Sequence, residues 1–486
     1  MTLPEDVLYL SVRELGEALR ARRFSPVELA ESYLARLEQY GERLGAVVTV
    51  TRERALREAG QAEREIARGR YRGPLHGIPY GAKDLLAARG YPTTWGATPY
   101  REQRFDFDAA VIERLGEAGA VLVAKLAMVE LAGGMGYNQA NASFTGPGRT
   151  PWNLQYWSGG SSSGSGASVG AALVPFAIGT ETWGSIMFPS ACCGVSGLRP
   201  TFGRVSRHGA MALSWTMDKI GPLCRTADDC GLVLAVIAGP DARDAHAAAG
   251  RFVYVARGGR RGRPPGNPHP PDSRRPRIGI LKNATAGAQP EVTANFNASL
   301  DVLREFADVA GEVELPEMPF NEVAELIINA ECASAFEDLL ASGRVRELTA
   351  PEDRWGGYPG AAVLAQDYLK ALRLRGVMTP PLDAAFAAYD AVVSPTLDTV
   401  SFPIDRPFDK AWPTVDVPKD VRVQPLGGAA NLVGLPGIAV PNGFGREGLP
   451  TSLLFTGKLN GEGGILACAV EYQRRTDWHR KRPPIT

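Results

Sequence analysis

The stretch Gly159-Gly160-Ser161-Ser162-Ser163-Gly164-Ser165-Gly166 decides the fold class of this chain. Taken alone, a tract of glycine and serine is typical of a flexible linker. Here the segment Ala167 to Leu173 follows it with a helical pattern, and the strand-like segment Val174 to Ile178 comes next. Because a helix and a strand continue directly from the tract, we interpret it as a loop embedded in a folded α/β protein.

Two further glycine-containing blocks flank the tract. The block 73–84 contains Lys83, and the block 179–185 ends in Ser185. A serine hydroxyl is a poor nucleophile until a base removes its proton, and a lysine can be that base only when desolvation or nearby positive charge lowers its pKa. The combination therefore predicts a buried Lys83 that activates a serine.

In this order the three blocks resemble the amidase signature family of serine hydrolases. The resemblance continues through residues 197–206 and 220–223 to residues 431–436, so it covers most of the chain. It implies a large mixed β-sheet between layers of helices. It also implies acyl transfer in two steps, in which a serine attacks a carbonyl and water then releases the acid.

The resemblance assigns a role to each site residue. Ser185 is the nucleophile, Ser161 relays its proton, Lys83 is the base, and the Gly160–Ser161 peptide bond is cis. The implied oxyanion hole consists of the backbone N–H groups of Thr182, Trp183, Gly184 and Ser185. No cofactor or metal is implied, and the substrates are a small amide and water.

Several positions depart from the family pattern, and they predict the substrate. Ser163 and Trp183 replace usual glycines, Glu181 replaces an aspartate and Met187 replaces an arginine. We expect the substrate to contact Met135, Gly136, Tyr137, Trp183 and Met187. Since polar anchors give way to apolar bulk, we expect apolar or aryl-bearing amides, and carbamates or esters share the attackable carbonyl.

Three alternatives compete with this hypothesis. The segment 160–164 also fits the G-x-S-x-G elbow of α/β-hydrolases, with Ser162 as nucleophile and His479 as base, but residues 153–159 lack the strand that the elbow requires. The segment 203–209 resembles the amidase subunit of the tRNA-dependent glutamine amidotransferase. A scaffold protein without catalysis is disfavoured because no member of the proposed triad is missing.

The whole chain, residues 1–486, is expected to form a single α/β domain with helices on both sides of one sheet. Helices are expected over about residues 5–68, where Ser11 and Ser25 each begin a capping box. A basic surface loop rich in proline and glycine is expected over about residues 257–277. The expected strands are Val121 to Ala124, Ile278 to Leu281, Ala391 to Val393 and Ile438 to Val440.

Composition excludes several partners. The 53 basic and 53 acidic residues cancel, so no net field attracts nucleic acid or an anionic membrane. The N-terminus lacks the features of a signal peptide, and no apolar run is long enough to span a bilayer, so a cytoplasmic protein is expected. We also expect the protein to be a monomer or a homodimer. The six cysteines form no C-x-x-C pair and are expected to be buried thiols.

Overall fold

The computed structural model describes residues 3–247, 250–254, 274–411 and 426–485. Within these residues the strands form one eleven-stranded sheet with the order β1-β3-β2-β4-β6-β5-β10-β11-β9-β7-β8. The strands are β1 (Val47–Val50), β2 (Pro79–Lys83), β3 (Val121–Leu126), β4 (Phe176–Glu181), β5 (Ser196–Arg199), β6 (Lys219–Cys224), β7 (Arg277–Leu281), β8 (Asp308–Val313), β9 (Ala391–Pro395), β10 (Gly437–Phe444) and β11 (Pro450–Thr456).

Parallel and antiparallel pairs alternate in blocks across this sheet. Strand β2 is parallel to both β3 and β4, and β7 is parallel to both β8 and β9. The other paired strands are antiparallel. The sheet is therefore mixed, as the sequence resemblance implies.

Helices cover both faces of the sheet. They are α1 (Glu5–Leu8), α2 (Val12–Arg20), α3 (Pro26–Tyr40), α4 (Arg52–Ala67), α5 (Ala110–Glu117), α6 (Ser163–Gly170), α7 (Met187–Cys193), α8 (Ala227–Ile237), α9 (Pro290–Phe306), α10 (Phe320–Ala335), α11 (Glu337–Ala341), α12 (Asp353–Ala361), α13 (Ala365–Ala387), α14 (Phe408–Ala411), α15 (Gly427–Val433) and α16 (Glu462–Arg475). Successive residues of β3 enter different hydrophobic clusters, with Leu122 in one and Val121 and Val123 in the other. Since side chains alternate along a strand, both faces of the sheet are buried.

The N-terminal segment is mostly helical, and both predicted capping boxes form. The hydroxyls of Ser11 and Ser25 accept from the backbone N–H groups of Glu14 and Glu28, whose carboxylates accept in return. The sequence interpretation missed β1, which interrupts the expected helices of residues 5–68 and pairs with the buried strand β3. All four residues of β1 are half-buried at the edge of the sheet, so β1 lacks the fully buried run that marks its partner β3.

Other boundaries also differ from expectation. Helix α6 begins at Ser163, inside the glycine and serine tract, and ends at Gly170. Strand β7 begins at Arg277, whereas residues 257–273 of the expected basic loop lie outside the described residues. The six cysteines are buried, and none of them is in a disulfide bond. No helix within the described ranges is long and apolar enough to cross a membrane.

Candidate active site

Strands β2 and β4 bring two of the three sequence blocks to one edge of the sheet. The strands are parallel, with Ala82 opposite Ile178, so their carboxyl ends meet. Lys83 is the last residue of β2, and the turn that contains Ser185 follows β4 directly. The glycine and serine tract contains the start of α6. It contacts this turn through the N–H of Ser162, which donates to the carbonyl of Ser185 at 3.4 Å.

Lys83 is fully buried and contacts the predicted relay serine. Its Nζ lies 2.7 Å from Ser161 Oγ and 2.9 Å from Thr180 Oγ1. Burial lowers the pKa of Lys83 to about 7, although the nearby carboxylates of Asp218 and Glu181 oppose this shift. A substantial fraction of the lysine is therefore neutral at physiological pH, as a general base requires.

The neighbouring carboxylate does not neutralise Lys83. Asp84 is fully buried and pairs with Lys125, whose Nζ lies 2.7 Å from Asp84 Oδ1. Its other oxygen accepts from the backbone N–H and the hydroxyl of Thr94. The two hydrogen-bond partners of Lys83 are hydroxyl groups, so burial dominates its pKa.

The peptide bond between Gly160 and Ser161 is cis, as the sequence resemblance implies. Gly160 has no room for a side chain, because a Cβ atom there would lie 2.7 Å from Val129 Cγ2 and 2.8 Å from Trp157 Cζ2. The carbonyl of Ser161 accepts from the N–H of Val129 at 3.1 Å. Close packing therefore fixes the backbone that carries Ser161.

The turn between β4 and α7 leaves four backbone donors available. Within the part of the chain that the structure describes, the N–H groups of Thr182, Trp183, Gly184 and Ser185 have no hydrogen-bond acceptor. Gly184 has a φ of +82°, a conformation that favours glycine, and Ser185 is 7% exposed. Consecutive free N–H groups beside a serine can stabilise the anionic oxygen of a tetrahedral intermediate.

Charged residues hold both ends of this turn. Glu181 accepts from the N–H groups of Ile186 and Met187, at 2.9 and 3.0 Å, and pairs with Arg199 at 2.7 Å. Burial alone would raise the pKa of Glu181, but Arg199 and Lys219 outweigh it and lower that pKa to about 2. Glu181, which replaces the aspartate usual in the family, therefore has a structural role in holding the turn.

Sequence reasoning missed three side chains near the turn. Thr180 is the second partner of Lys83. Asp218 accepts from the Thr182 hydroxyl at 2.5 Å, and Lys219 donates to the Thr182 carbonyl at 3.3 Å. Lys219 is the first residue of β6 and Asp218 directly precedes it. Strand β6 brings both to the turn because it pairs with β4, which is distant in sequence. The only local signal is that these residues precede the Gly221-Pro222 part of the family resemblance.

The structure does not support an elbow at Ser162. Isolated bridges and turns, not a strand, precede the tract. The Ser162 hydroxyl donates to the Thr180 carbonyl at 3.1 Å and accepts from the Thr180 N–H at 3.2 Å. Ser162 therefore fastens the tract to β4, and the α/β-hydrolase alternative fails because both hydrogen-bonding functions of its hydroxyl are used.

The expected substrate contacts divide into two groups. Met135 is fully buried and Met187 is 2% exposed, and each belongs to a hydrophobic cluster of the core. Gly136 is exposed, whereas Tyr137 and Trp183 are half-buried. Their exposure leaves Tyr137 and Trp183 as the predicted side chains that still present surface to a substrate.

A cavity of about 220 Å³ adjoins the site. Thr180, Thr182 and Asp218 lie on its wall. The remaining wall is mixed. Its apolar residues include Leu85, Ala132, Ala210, Met211, Leu213 and Ile220, and its polar or charged residues are Arg207, His208, Arg243, Asp244 and His246. The cavity therefore offers hydrophobic surface next to the hydroxyl that holds Lys83.

The covered mixed sheet and the buried lysine beside two serine-bearing glycine turns define an α/β enzyme with a lysine–serine site. The sequence pattern described as Amidase matches residues 28–466. A glutamyl-tRNA(Gln) amidotransferase subunit of Methylococcus capsulatus is 35% identical over 497 residues, covering 97% of this chain and 98% of that protein. The native peptide amidase from Stenotrophomonas maltophilia shares 30% identity and a TM-score of 0.82, with 98% of each chain covered.

These similarities extend over nearly the full length of the chain. It belongs to the amidase signature family, and it is an enzyme of the class that acts on C–N bonds of amides. The predicted family and fold class are confirmed.

Proposed function

We propose that this chain is a stand-alone amidase that forms an acyl-enzyme on Ser185. The observation that carries the proposal is the contact between Lys83 and Ser161, in which a fully buried amine with a pKa of about 7 lies 2.7 Å from a hydroxyl. A charged lysine in this position would lack a carboxylate partner, whereas a neutral one can accept a proton from Ser161.

The proposed reaction has two steps. In the first, Ser185 Oγ attacks the amide carbonyl as its proton passes through Ser161 to Lys83, and the free N–H groups of the turn bind the oxyanion. The same relay returns the proton to the departing amine. In the second step water attacks the acyl-enzyme, and Ser185 leaves as the acid forms.

We further propose that the substrates are apolar or aryl-bearing small amides, with carbamates and esters as chemically related substrates. Half-buried Trp183 and the apolar residues of the cavity wall support this choice, because burying apolar surface contributes about 25 cal/mol per Å². Glutamine carries a carboxylate that needs a cation. The two arginines of the cavity wall already have carboxylate partners, Arg207 in Asp244 and Arg243 in Asp241 and Glu113, so neither is free to bind that carboxylate.

A second candidate is an amidase subunit of a glutamine-dependent amidotransferase. The identity of 35% to one component of such an enzyme, over nearly the whole chain, favours it. The two candidates make different demands on the purified protein. A stand-alone amidase needs no other chain for turnover, whereas a component of an assembly is expected to prefer glutamine and to depend on its partners.

The test combines labelling with turnover. A fluorophosphonate is expected to add once, at Ser185, in the wild type and in Ser162→Ala, and not at all in Ser185→Ala. The purified wild-type chain, without partner proteins, is expected to hydrolyse an aryl nitroanilide with a higher kcat/KM than it shows for glutamine. An adduct on Ser162 contradicts the assignment of the nucleophile. Glutamine as the better substrate, or turnover only when partner proteins are added, favours the second candidate.

A further inference from the structure

Lys219 is a second buried lysine beside the nucleophile turn, and the proposed reaction does not use it. It begins β6, is 2% exposed, and lies opposite Glu181 in the antiparallel register of β4 and β6. Its Nζ donates to the carbonyl oxygens of Thr182, at 3.3 Å, and Met217. Burying an amine costs desolvation free energy, so a buried lysine beside this turn is expected to have a specific role.

The carbonyl of Thr182 and the N–H of Trp183 belong to the same peptide group. A cation on the carbonyl oxygen draws electron density towards that oxygen and makes the N–H a stronger donor, since hydrogen bonds in a chain polarise one another. The N–H of Trp183 has no acceptor among the described residues. The effect of the cation is therefore available to a ligand oxygen rather than absorbed by the protein.

We propose that protonated Lys219 is a positioning residue that strengthens the oxyanion hole through the Thr182–Trp183 peptide group. The inference rests on the proposed function, because it requires the oxyanion that forms when Ser185 attacks. Lys219 touches neither the substrate nor Ser185. It fixes the turn and polarises one donor, so its contribution is largest in the transition state, where the negative charge develops.

Four charged residues face Lys219. They are Glu181 of β4, Arg199 of β5, Asp218 directly before β6, and Arg375 of α13. Arg199 is neutralised by Glu181, and Asp218 accepts from the Thr182 hydroxyl and from the N–H groups of Leu213 and Ser214. Burial and the two arginines lower the pKa of Lys219, the two carboxylates raise it, and the result is about 7.

In the active enzyme Lys83 must therefore be neutral while Lys219 is protonated. Activity rises with pH as Lys83 loses its proton, because only the neutral amine is a base. It falls as Lys219 loses its proton, because the cation that polarises the peptide group disappears. With both pKa values near neutrality, kcat/KM is expected to follow a bell whose maximum lies near pH 7.

The experiment measures kcat/KM for a nitroanilide from about pH 5 to about pH 10 in the wild type, Lys219→Met and Lys219→Arg. Lys219→Met is expected to lower kcat on the order of tenfold at the optimum with little change in KM, and to abolish the descending limb. Lys219→Arg keeps a charge that does not titrate in this range, so it is expected to restore the rate while the descending limb stays absent. Lys282→Met removes an exposed lysine that pairs with Glu314 and does not contact the turn, and it is expected to keep both limbs.

Each outcome decides the inference. A wild type without a descending limb overturns it, as does a Lys219→Met or Lys219→Arg protein that keeps this limb. A purely structural role would lower thermal stability and leave the shape of the profile unchanged. Fluorophosphonate labelling separates the two proposals. A wild type without a Ser185 adduct refutes the proposed function, whereas normal labelling with unaltered profiles in the Lys219 variants refutes only the role of Lys219.

Discussion

Lys83 lies where its pKa and its contacts favour the same role. The fully buried amine is neutral in part near pH 7, and its Nζ lies 2.7 Å from Ser161 Oγ, the proposed proton relay. Lys83→Met keeps the length of the side chain and removes the base. We expect kcat/KM to fall by about 10² to 10⁴ and the ascending limb of the pH profile to disappear, as measured with a nitroanilide. Ser161→Ala is expected to lose less activity, and wild-type rates in Lys83→Met would contradict the relay.

The sequence predicts some of these residues and not others for a physical reason. Lys83, Ser161 and Ser185 belong to short local motifs, so their types and order are visible in the chain. Thr180 and Lys219 acquire their contacts only when β2, β4 and β6 pair, and register between distant strands has no local signal. The burial of Met135 and Met187 likewise depends on which helices cover them, and that packing is not written in the motif.

Among the helices and strands, too, some features are encoded locally in the sequence and others depend on tertiary packing. The capping box of α3 is a locally encoded feature whose contribution to stability can be measured. In its capping box Ser25 Oγ accepts from the Glu28 N–H at 3.1 Å, and Glu28 Oε2 accepts from the Ser25 N–H at 2.7 Å. Ser25→Ala removes one half of the box and leaves a helix donor without a partner. We expect the free energy of unfolding to fall by about 1 kcal/mol, measured by urea denaturation. Ser25→Asp keeps an acceptor and is expected to stay near the wild type. Equal losses in both variants would show that the cap contributes nothing.

The elements that sequence reasoning misplaced are those whose environment is tertiary. Helix α6 begins inside a tract that composition marks as a linker, because the tract is packed too closely for larger residues. A Cβ on Gly164 would lie 2.3 Å from the carbonyl of Ala46 and 2.5 Å from the N–H nitrogen of Ala127. Glycine is thus required there by packing and not by flexibility. The capping boxes, by contrast, are encoded within four residues and were predicted correctly.

At the scale of the whole molecule, a buried pair of carboxyl groups links residues 130–137 to the start of α12. Glu130 is fully buried and accepts from the N–H groups of Thr349 and Ala350, both at 2.9 Å. Asp353 is also fully buried, lies beside Glu130, and accepts from the Tyr137 N–H at 3.1 Å. Burial and Glu130 raise the pKa of Asp353, so the folded protein holds this carboxyl in its neutral form.

A raised pKa makes the stability of the whole chain depend on pH. Above about pH 4 the unfolded chain releases the proton of Asp353 while the folded chain retains it, so this group lowers the stability of the fold as pH rises towards its folded pKa. Asp353→Asn keeps an oxygen for the Tyr137 N–H and supplies a permanent donor for Glu130. The variant should match the wild type near pH 4 and become more stable by at least about 1.4 kcal/mol near pH 7, as measured by urea denaturation across that range. Asp367→Asn alters an exposed carboxylate on α13 and serves as the control, with a difference that does not grow with pH. If the difference in the free energy of unfolding between Asp353→Asn and the wild type stayed constant from about pH 4 to about pH 7, Asp353 would be ionised in the folded protein. The assignment of a neutral carboxyl to Asp353 would then be wrong.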